Sequence, residues 1–270
     1  MLVLLILVLL IVLYLYLIMP RIIRRPSADH LKGRYYAHRG LHDNLSGPPE
    51  NSIDAFQKAI DAGYGIELDV QLTQDRIPVV FHDENLQRIC GIDGRVRDFT
   101  YAELSTLPLL GSHQCIPLLS DVLELVDGQV PLIIEIKAHE NPVAVCEKAD
   151  EWISRYQGPY CIESFHPGAV QWYKENRPDV VRGQLSANFA RLGKREKPAE
   201  TLVHHLLTNV LCRPDFIAYD HRTKNVLSRI ICKKLFGALS VAWTIRSQEE
   251  LDAARADFDL FIFEQFIPKD

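Results

Sequence analysis

Residues 131–137 read Pro-Leu-Ile-Ile-Glu-Ile-Lys, an almost continuous apolar run interrupted only by Glu135 before it ends at Lys137. A surface helix would space its apolar residues three and four apart, and a half-exposed strand would alternate them. This run does neither, so it reads as a parallel strand covered on both faces. Leu-Ser-Val-Ala-Trp-Thr-Ile at 239–245 and Asp-Leu-Phe-Ile-Phe-Glu at 259–264 have the same character. Working outward, strands are expected near 34–38, 65–70, 78–82, 132–137, 159–164, 179–184, 214–219, 239–244 and 258–263. Helices fit between them. Residues 51–62 open with Asn51 and Ser52 as caps and set Ile53, Phe56 and Ile60 on one face, and 142–155, 168–176, 198–210, 224–235 and 247–256 follow.

This alternation over about 240 residues matches the usual size of one (β/α)8 TIM barrel. No G-x-G-x-x-G follows the first strand, which disfavours a doubly wound dinucleotide-binding sheet. Residues 84–118, carrying Gly91, Gly94, Pro108, Pro117 and a short helix near 101–106, read as a small insertion after the second strand unit. The α/β domain is therefore expected over 34–270, behind a transmembrane anchor at 1–20 and a juxtamembrane linker at 21–33.

The anchor rests on Leu2 to Met19, 18 residues without a charge in a chain of 270. That is close to the ~20 residues that cross a bilayer. No Lys or Arg precedes the run and no A-x-A site follows it, so a cleaved signal peptide is the weaker reading. Tyr14 and Tyr16 suit the headgroup level, and Arg21, Arg24, Arg25, Lys32 and Arg34 come next, which by the positive-inside rule predicts a single-pass protein of the cell membrane with its domain in the cytoplasm. Thirty basic against 35 acidic residues give a net charge of −5. With no basic excess to neutralise phosphates, nucleic acid is excluded as a partner. The cysteines, Cys90, Cys115, Cys146, Cys161, Cys212 and Cys232, form no C-x-x-C pair and do not resemble a zinc site.

The charges embedded in the apolar runs carry the chemistry. His38, Arg39 and Gly40 close the first strand, Glu67 and Asp69 lie near the end of the second, His82 and Asp83 end Val-Val-Phe-His-Asp, and Glu135 and Lys137 end the run quoted above. Residues two apart on a strand share a face, so Glu67 aligns with Asp69 and Glu135 with Lys137. Barrel strands converge at one mouth. Three carboxylates there are costly unless a cation joins them, and an all-oxygen set suits Mg2+ or Ca2+ better than zinc. Glu135 also has a plain alternative, an ion pair with Lys137.

The ordered set AHRG, PENS, IELDVQLTQD, VVFHDENLQRI, IPLLSDVLELV, LIIEIK and ESF, over residues 34 to 264, resembles the glycerophosphodiester phosphodiesterase family, whose fold is a TIM barrel with a small insertion after the second strand. The resemblance implies metal-dependent hydrolysis of glycerophosphodiesters to sn-glycerol 3-phosphate and an alcohol. It makes Glu67, Asp69 and Glu135 the metal ligands, His38 and His82 the acid/base pair, and Arg39 and Lys137 the phosphate-holding cations. Glu50 would support the metal, and Phe165, His166 and Trp243 would line the substrate mouth. Packing in the barrel for Trp243 and a helix-start loop for His166 are the competing readings.

The chain departs from the family pattern twice. Thr73-Gln74-Asp75-Arg76 stands where a T-x-D-G turn is frequent, so the turn must tolerate Arg76. Glu264 and Gln265 stand where a Thr-Asp pair is common, and neither change is expected to reach the site. Two other functions compete: lysophospholipase D-like cleavage of lysophospholipids, suggested by the anchor, and a silent membrane-tethered binding domain, disfavoured because every matched position is intact.

Overall fold

The structure, a computed structural model, describes residues 1–138, 141–190 and 197–269. Its strands are β1 (Tyr35–His38), β2 (Gly65–Leu72), β3 (Pro78–Val80), β4 (Leu132–Ile136), β5 (Tyr160–Ser164), β6 (Arg182–Ser186), β7 (Phe216–Asp220), β8 (Leu239–Ile245) and β9 (Leu260–Phe263). Eight of them pair in parallel in the order β1-β9-β8-β7-β6-β5-β4-β2, and pairing of β1 with β2 closes the barrel. The two-residue period of β4 explains how this sheet builds two cores. Leu132, Ile134 and Ile136 face outward into a cluster with Val122, Val126, Ala149 and Ile153, whereas Ile133 faces inward with Tyr36, Cys161, Phe216, Val241 and Leu260.

The helices are α1 (Leu2–Ile18), α2 (Ile53–Asp61), α3 (Gln87–Cys90), α4 (Tyr101–Leu104), α5 (Leu119–Val126), α6 (Pro142–Ile153), α7 (Pro167–Asn176), α8 (Pro198–His204), α9 (Asn209–Cys212), α10 (Leu227–Lys234) and α11 (Gln248–Ala254). Ser52 caps α2 by accepting from the Ala55 amide at 3.2 Å. The helix α5 lies where no helix was expected, and the single helix expected at 198–210 is divided between α8 and α9, with Leu206 left-handed between them (φ 57°). The segment between β3 and α5 has its own small core of Val79, Phe81, Leu86, Ile89, Val96, Leu104, Leu109 and Ile116.

Two expectations need correction. The apolar run at 78–82 is not a barrel strand: β3 pairs antiparallel to β2, with Val70 opposite Val80. The turn joining them is too short for a parallel crossover, which needs about a dozen residues. Within that turn Arg76 does take the left-handed conformation a glycine would favour, at φ 61°.

The second correction concerns the anchor. Among the described residues no helix is long and apolar enough to cross a membrane. The helix α1 has 17 residues, which at 1.5 Å per residue is about 26 Å against a hydrocarbon core of about 30 Å. Its last turn is also taken up by the domain. Ile18 is buried, its carbonyl accepts from Asn209 Nδ2 at 2.7 Å, and Arg213 Nη1 donates to the Tyr16 and Met19 carbonyls at 2.8 and 2.7 Å. These donors satisfy carbonyls that every helix leaves open at its C-terminus. Residues 1–13 stay exposed.

The segment that follows α1 packs under the barrel. The Arg21 amide donates to the Pro214 carbonyl at 2.9 Å, just before β7 begins. Leu31 is fully buried in the inner cluster beneath Tyr36, whose hydroxyl donates to the Leu31 carbonyl at 2.7 Å. Burying one leucine in this way stabilises the closed floor by about 2 kcal/mol. Both contacts lie at the N-terminal ends of the strands, so α1 is attached opposite the mouth.

Candidate active site

The inward rows that fill the barrel with apolar side chains change character toward the C-terminal ends of the strands. Above Ile133 come Glu135 and Lys137, above Cys161 comes Glu163, and β2 contributes Glu67 and Asp69. On β1 the row passes from Tyr36 to His38, after which the backbone turns through Arg39 (φ 56°) and Gly40 (φ 81°). A side chain on Gly40 would put its Cβ 2.8 Å from the Ala55 carbonyl carbon, so the turn packs on α2 only because that residue is glycine.

Glu67, Asp69 and Glu135 are buried and each offers an oxygen within 4.8 Å of the other two. Two cations face them. Lys137 Nζ lies 2.8 Å from Glu135 Oε2 and 2.9 Å from Asp69 Oδ1, and Arg39 Nε lies 3.5 Å from Asp69 Oδ2. The ion pair that competed with a ligand role for Glu135 is therefore present, inside the same cluster. The Arg39 amide donates to Glu67 Oε2 at 3.1 Å and Asn51 Nδ2 donates to Asp69 Oδ2 at 2.8 Å. Asn51 thus reaches the acidic cluster, a role its reading as a helix cap had missed.

The charges do not balance within the protein. Burial, reinforced by repulsion from Asp69, Glu135 and Glu163, holds Glu67 well above the ordinary carboxylate range. Against the same burial penalty, Lys137, His82 and Arg39 hold Asp69 well below it. Burial also opposes a charged Lys137, yet Asp69 and Glu135 raise it above an ordinary lysine. An all-carboxylate set with one member destabilised as an anion fits a hard divalent cation, because such an ion takes oxygen ligands and relieves that repulsion.

Each histidine has a carboxylate on Nδ1. His82 Nδ1 is 2.6 Å from Asp83 Oδ1, and His38 Nδ1 is 2.5 Å from Glu264 Oε2, with His38 Nε2 turned toward Glu67 at 3.8 Å. Glu264 therefore does reach the site, contrary to expectation. It follows Leu260 and Ile262 in the inward row of β9, and β9 lies beside β1. Burial and the neighbouring Arg39 hold the His38 imidazole down at about 4, although Glu264 works the other way. A neutral ring that donates Nδ1–H to Glu264 leaves Nε2 as a proton acceptor.

Glu50 does not join the three carboxylates. Its Oε1 is 2.5 Å from Arg39 Nη1 and 2.7 Å from Arg88 Nη2, and Asn44 Nδ2 donates to its Oε2 at 2.6 Å. Burial disfavours its charge, but Arg88 and Arg39 hold it at about 2. Arg88 also binds Asp83 at 2.6 Å, which links the supports of Arg39 and His82. This bracing by Arg88 was not visible before the fold was known, since the residue lies in the insertion.

A cleft of about 150 Å³ opens at this end of the barrel, lined by His38, Arg39, His82, Lys137, Glu163 and Trp243 among others. Phe165 lines it too, edge-on to Trp243 with ring centroids 5.5 Å apart. His166 is not on the wall. It caps α7, accepting from the Gly168 amide through Nδ1 at 3.1 Å.

The family described as "Glycerophosphoryl diester phosphodiesterase family" matches residues 38–256. A glycerophosphodiester phosphodiesterase of Bacillus altitudinis is 36% identical over 165 residues, which is 57% of this chain and 66% of that protein. The Bacillus subtilis protein YhdW is 30% identical over 250 residues, covering 87% of this chain and 96% of that protein. Among solved structures, an Oleispira antarctica phosphodiesterase in complex with the product sn-glycerol-3-phosphate superposes with a TM-score of 0.70 at 22% identity, over 86% of this chain and 93% of that one. That likeness establishes the shared fold.

Proposed function

Since the chain belongs to the glycerophosphoryl diester phosphodiesterase family, we propose that it hydrolyses glycerophosphodiesters to sn-glycerol 3-phosphate and an alcohol in a metal-dependent reaction. The observation that carries this reading is the convergence of Glu67, Asp69 and Glu135, two cations and two carboxylate-braced histidines on one cleft. The product held by the Oleispira enzyme of the same fold supports the glycerol 3-phosphate half.

A phosphodiester resists attack because its anionic oxygens repel nucleophiles. Arg39 and Lys137 answer that charge, the first as a planar fork and the second as a point charge. A divalent ion such as Mg2+ or Ca2+, held by Glu67, Asp69 and Glu135, would supply further positive charge to the phosphoryl oxygens. His38, with Nε2 free to accept, takes the proton from the attacking hydroxyl, either water, which gives glycerol 3-phosphate directly, or the glycerol's own neighbouring hydroxyl, which gives a cyclic phosphate that water then opens. His82, at the rim with Asp83 on its Nδ1, protonates the departing alkoxide as the P–O bond breaks.

The test is an assay of the purified chain on glycerophosphocholine, glycerophosphoethanolamine and lysophosphatidylcholine, with Mg2+, Ca2+ or EDTA. The expected result is release of glycerol 3-phosphate, lost with EDTA and regained on adding metal. No turnover of any glycerophosphodiester under any metal would refute the function. The mouth lies opposite the attachment of α1, which favours soluble diesters. Lysophosphatidylcholine turnover above that of the soluble diesters would establish the lysophospholipase D-like alternative instead.

Location is a separate proposal. A helix whose exposed residues 2–13 are apolar on every side is unfavourable in water, so we assign the enzyme to a lipid surface, with α1 as its attachment. The full chain should float with anionic vesicles in a density gradient while residues 27–270 stay at the bottom. Equal behaviour of the two would remove the proposal.

A further inference from the structure

The floor of the barrel, at the end away from the mouth, carries cations that the chemistry above does not use. The helices α7, α9 and α10 end just before β6, β7 and β8 begin, so their last turns all lie on this floor. Hydrogen bonds join them to the root of α1. Arg213 Nη1 donates to the Tyr16 and Met19 carbonyls, and its guanidinium sits over the Tyr16 ring, 4.6 Å from the centroid. Lys174 Nζ donates to the Leu211 carbonyl at 2.5 Å. Arg25 reaches the end of α10, with Nη1 on the Gly237 carbonyl at 2.5 Å and Nη2 on the Phe236 carbonyl at 3.3 Å. Arg24 and Lys234 are their exposed chain neighbours.

A carbonyl is neutral, so these bonds leave the cationic charge uncompensated. Among the described residues none of Arg24, Arg25, Lys174, Arg213 and Lys234 forms an ion pair. The nearby buried and half-buried carboxylates are taken: Asp215 answers Arg182 and Arg21, Asp259 answers Lys233, and Asp150 answers Arg177. Against the five stand the exposed Glu175 and Asp179, so positive charge is in excess. Large apolar side chains lie among these cations. Ile22 is 50% exposed, Ile23 73%, Leu211 49% and Leu235 63%. Exposed apolar groups interleaved with surplus cations suit a bilayer surface, the former entering the headgroup boundary and the latter meeting anionic heads.

The floor is also held close to any lipid that α1 enters. Residues 14–18 span about 8 Å of helix, and the Debye length in physiological salt is about 8 Å as well. Nothing loose intervenes, because Asn209 and Arg213 fix the last turn of α1 to the domain. Resting on the lipid attachment proposed above, we propose that the barrel floor around the root of α1 is itself a docking surface for anionic phospholipid. Residues 2–13 hold the enzyme at the bilayer, and the floor fixes how it stands there, with the mouth turned to the aqueous side. The segment after α1 is then a seat and not a flexible spacer.

The experiment follows amide hydrogen exchange in the full chain bound to vesicles of phosphatidylcholine alone or mixed with phosphatidylglycerol, with binding verified by flotation. Residues 2–13 should be protected on both. Amides of residues 22–25 and 234–237 should exchange about tenfold or more slowly on the mixed vesicles than on the neutral ones. In Arg24→Gln/Lys234→Gln they should return to the neutral-vesicle rate, because each cation near an anionic surface is worth about fivefold. Ile22→Ser/Ile23→Ser tests the apolar part and should lose the same protection. Unfolding temperatures of both variants should match the wild type, since the replaced side chains are exposed. Equal exchange on the two kinds of vesicle with α1 protected, or protection that survives in both variants, would overturn the docking surface. Protection that appears in neutral micelles as protein concentration rises would make the floor a contact between copies of the chain, and would overturn it too. A full chain that floats with neither kind of vesicle would instead sink the lipid attachment, and the role of the floor would fall with it.

Discussion

His82→Ala is expected to lower kcat on glycerophosphocholine by about 10³-fold, within the range that a positioned general acid contributes, and to leave metal binding in place. His82 is paired instead with Asp83, Nδ1 to Oδ1 at 2.6 Å. The two histidines are distinguished by what a better leaving group does to each variant. If His82 is the acid, a diester that expels p-nitrophenol needs no proton from it, and His82→Ala should recover most of the lost rate. His38→Ala should lose a similar factor and recover none of it, because the attacking hydroxyl must still be deprotonated. Recovery in His38→Ala and none in His82→Ala would reverse the two roles. Retention of most activity by either variant would remove that histidine from the mechanism.

The legibility of this site depended on how local each signal is. Glu135 and Lys137 stood out because they interrupt the otherwise apolar run Leu-Ile-Ile-Glu-Ile-Lys, and their shared parity sends both to the barrel interior, where the structure has them. Glu67 and Asp69 follow the same rule on β2. The run at 78–82 misled because hydrophobicity reports that a strand is covered and not which strand covers it. Only the short turn from Thr73 to Ile77, closed by the Thr73 amide on the Ile77 carbonyl at 3.1 Å, revealed a hairpin. The anchor misled for a related reason, since counting uncharged residues says nothing of how many the domain withdraws, and Asn209 and Arg213 lie far along the chain from the carbonyls they hold. Arg88 brings Glu50 and Asp83 together across a loop whose path no periodicity describes.

Glu264 was the harder case, because its partner His38 is 226 positions away and only closure of β9 onto β1 joins them. The period of two was available nonetheless: Leu260 and Ile262 face inward, so Glu264 does too. Its effect should be large. Glu264 Oε2 fixes His38 Nδ1 at 2.5 Å, and Arg246 Nη2 fixes the other carboxylate oxygen at 2.6 Å, so the carboxylate is itself held from behind. Glu264→Gln removes the charge and lets an amide N–H face Nδ1, which favours the tautomer with the proton on Nε2. That tautomer has no acceptor toward the substrate. Changing a carboxylate that orients a catalytic imidazole to its amide costs about 10⁴ in a serine protease, and a loss of about 10² to 10⁴ in kcat is expected here, with KM nearly unchanged because Glu264 is not placed at the phosphate. The pH dependence supplies an independent sign. Activity that needs neutral His38 falls as pH drops through its pKa, held at about 4 by burial and Arg39. Glu264 opposes that depression, so the acid limb should move to still lower pH in Glu264→Gln and return toward the wild-type position in Glu264→Asp. Nitrogen chemical shifts of His38 would report the tautomer directly. A Glu264→Gln enzyme within threefold of the wild type, with an unmoved acid limb, would leave His38 to orient itself and refute the role given to Glu264.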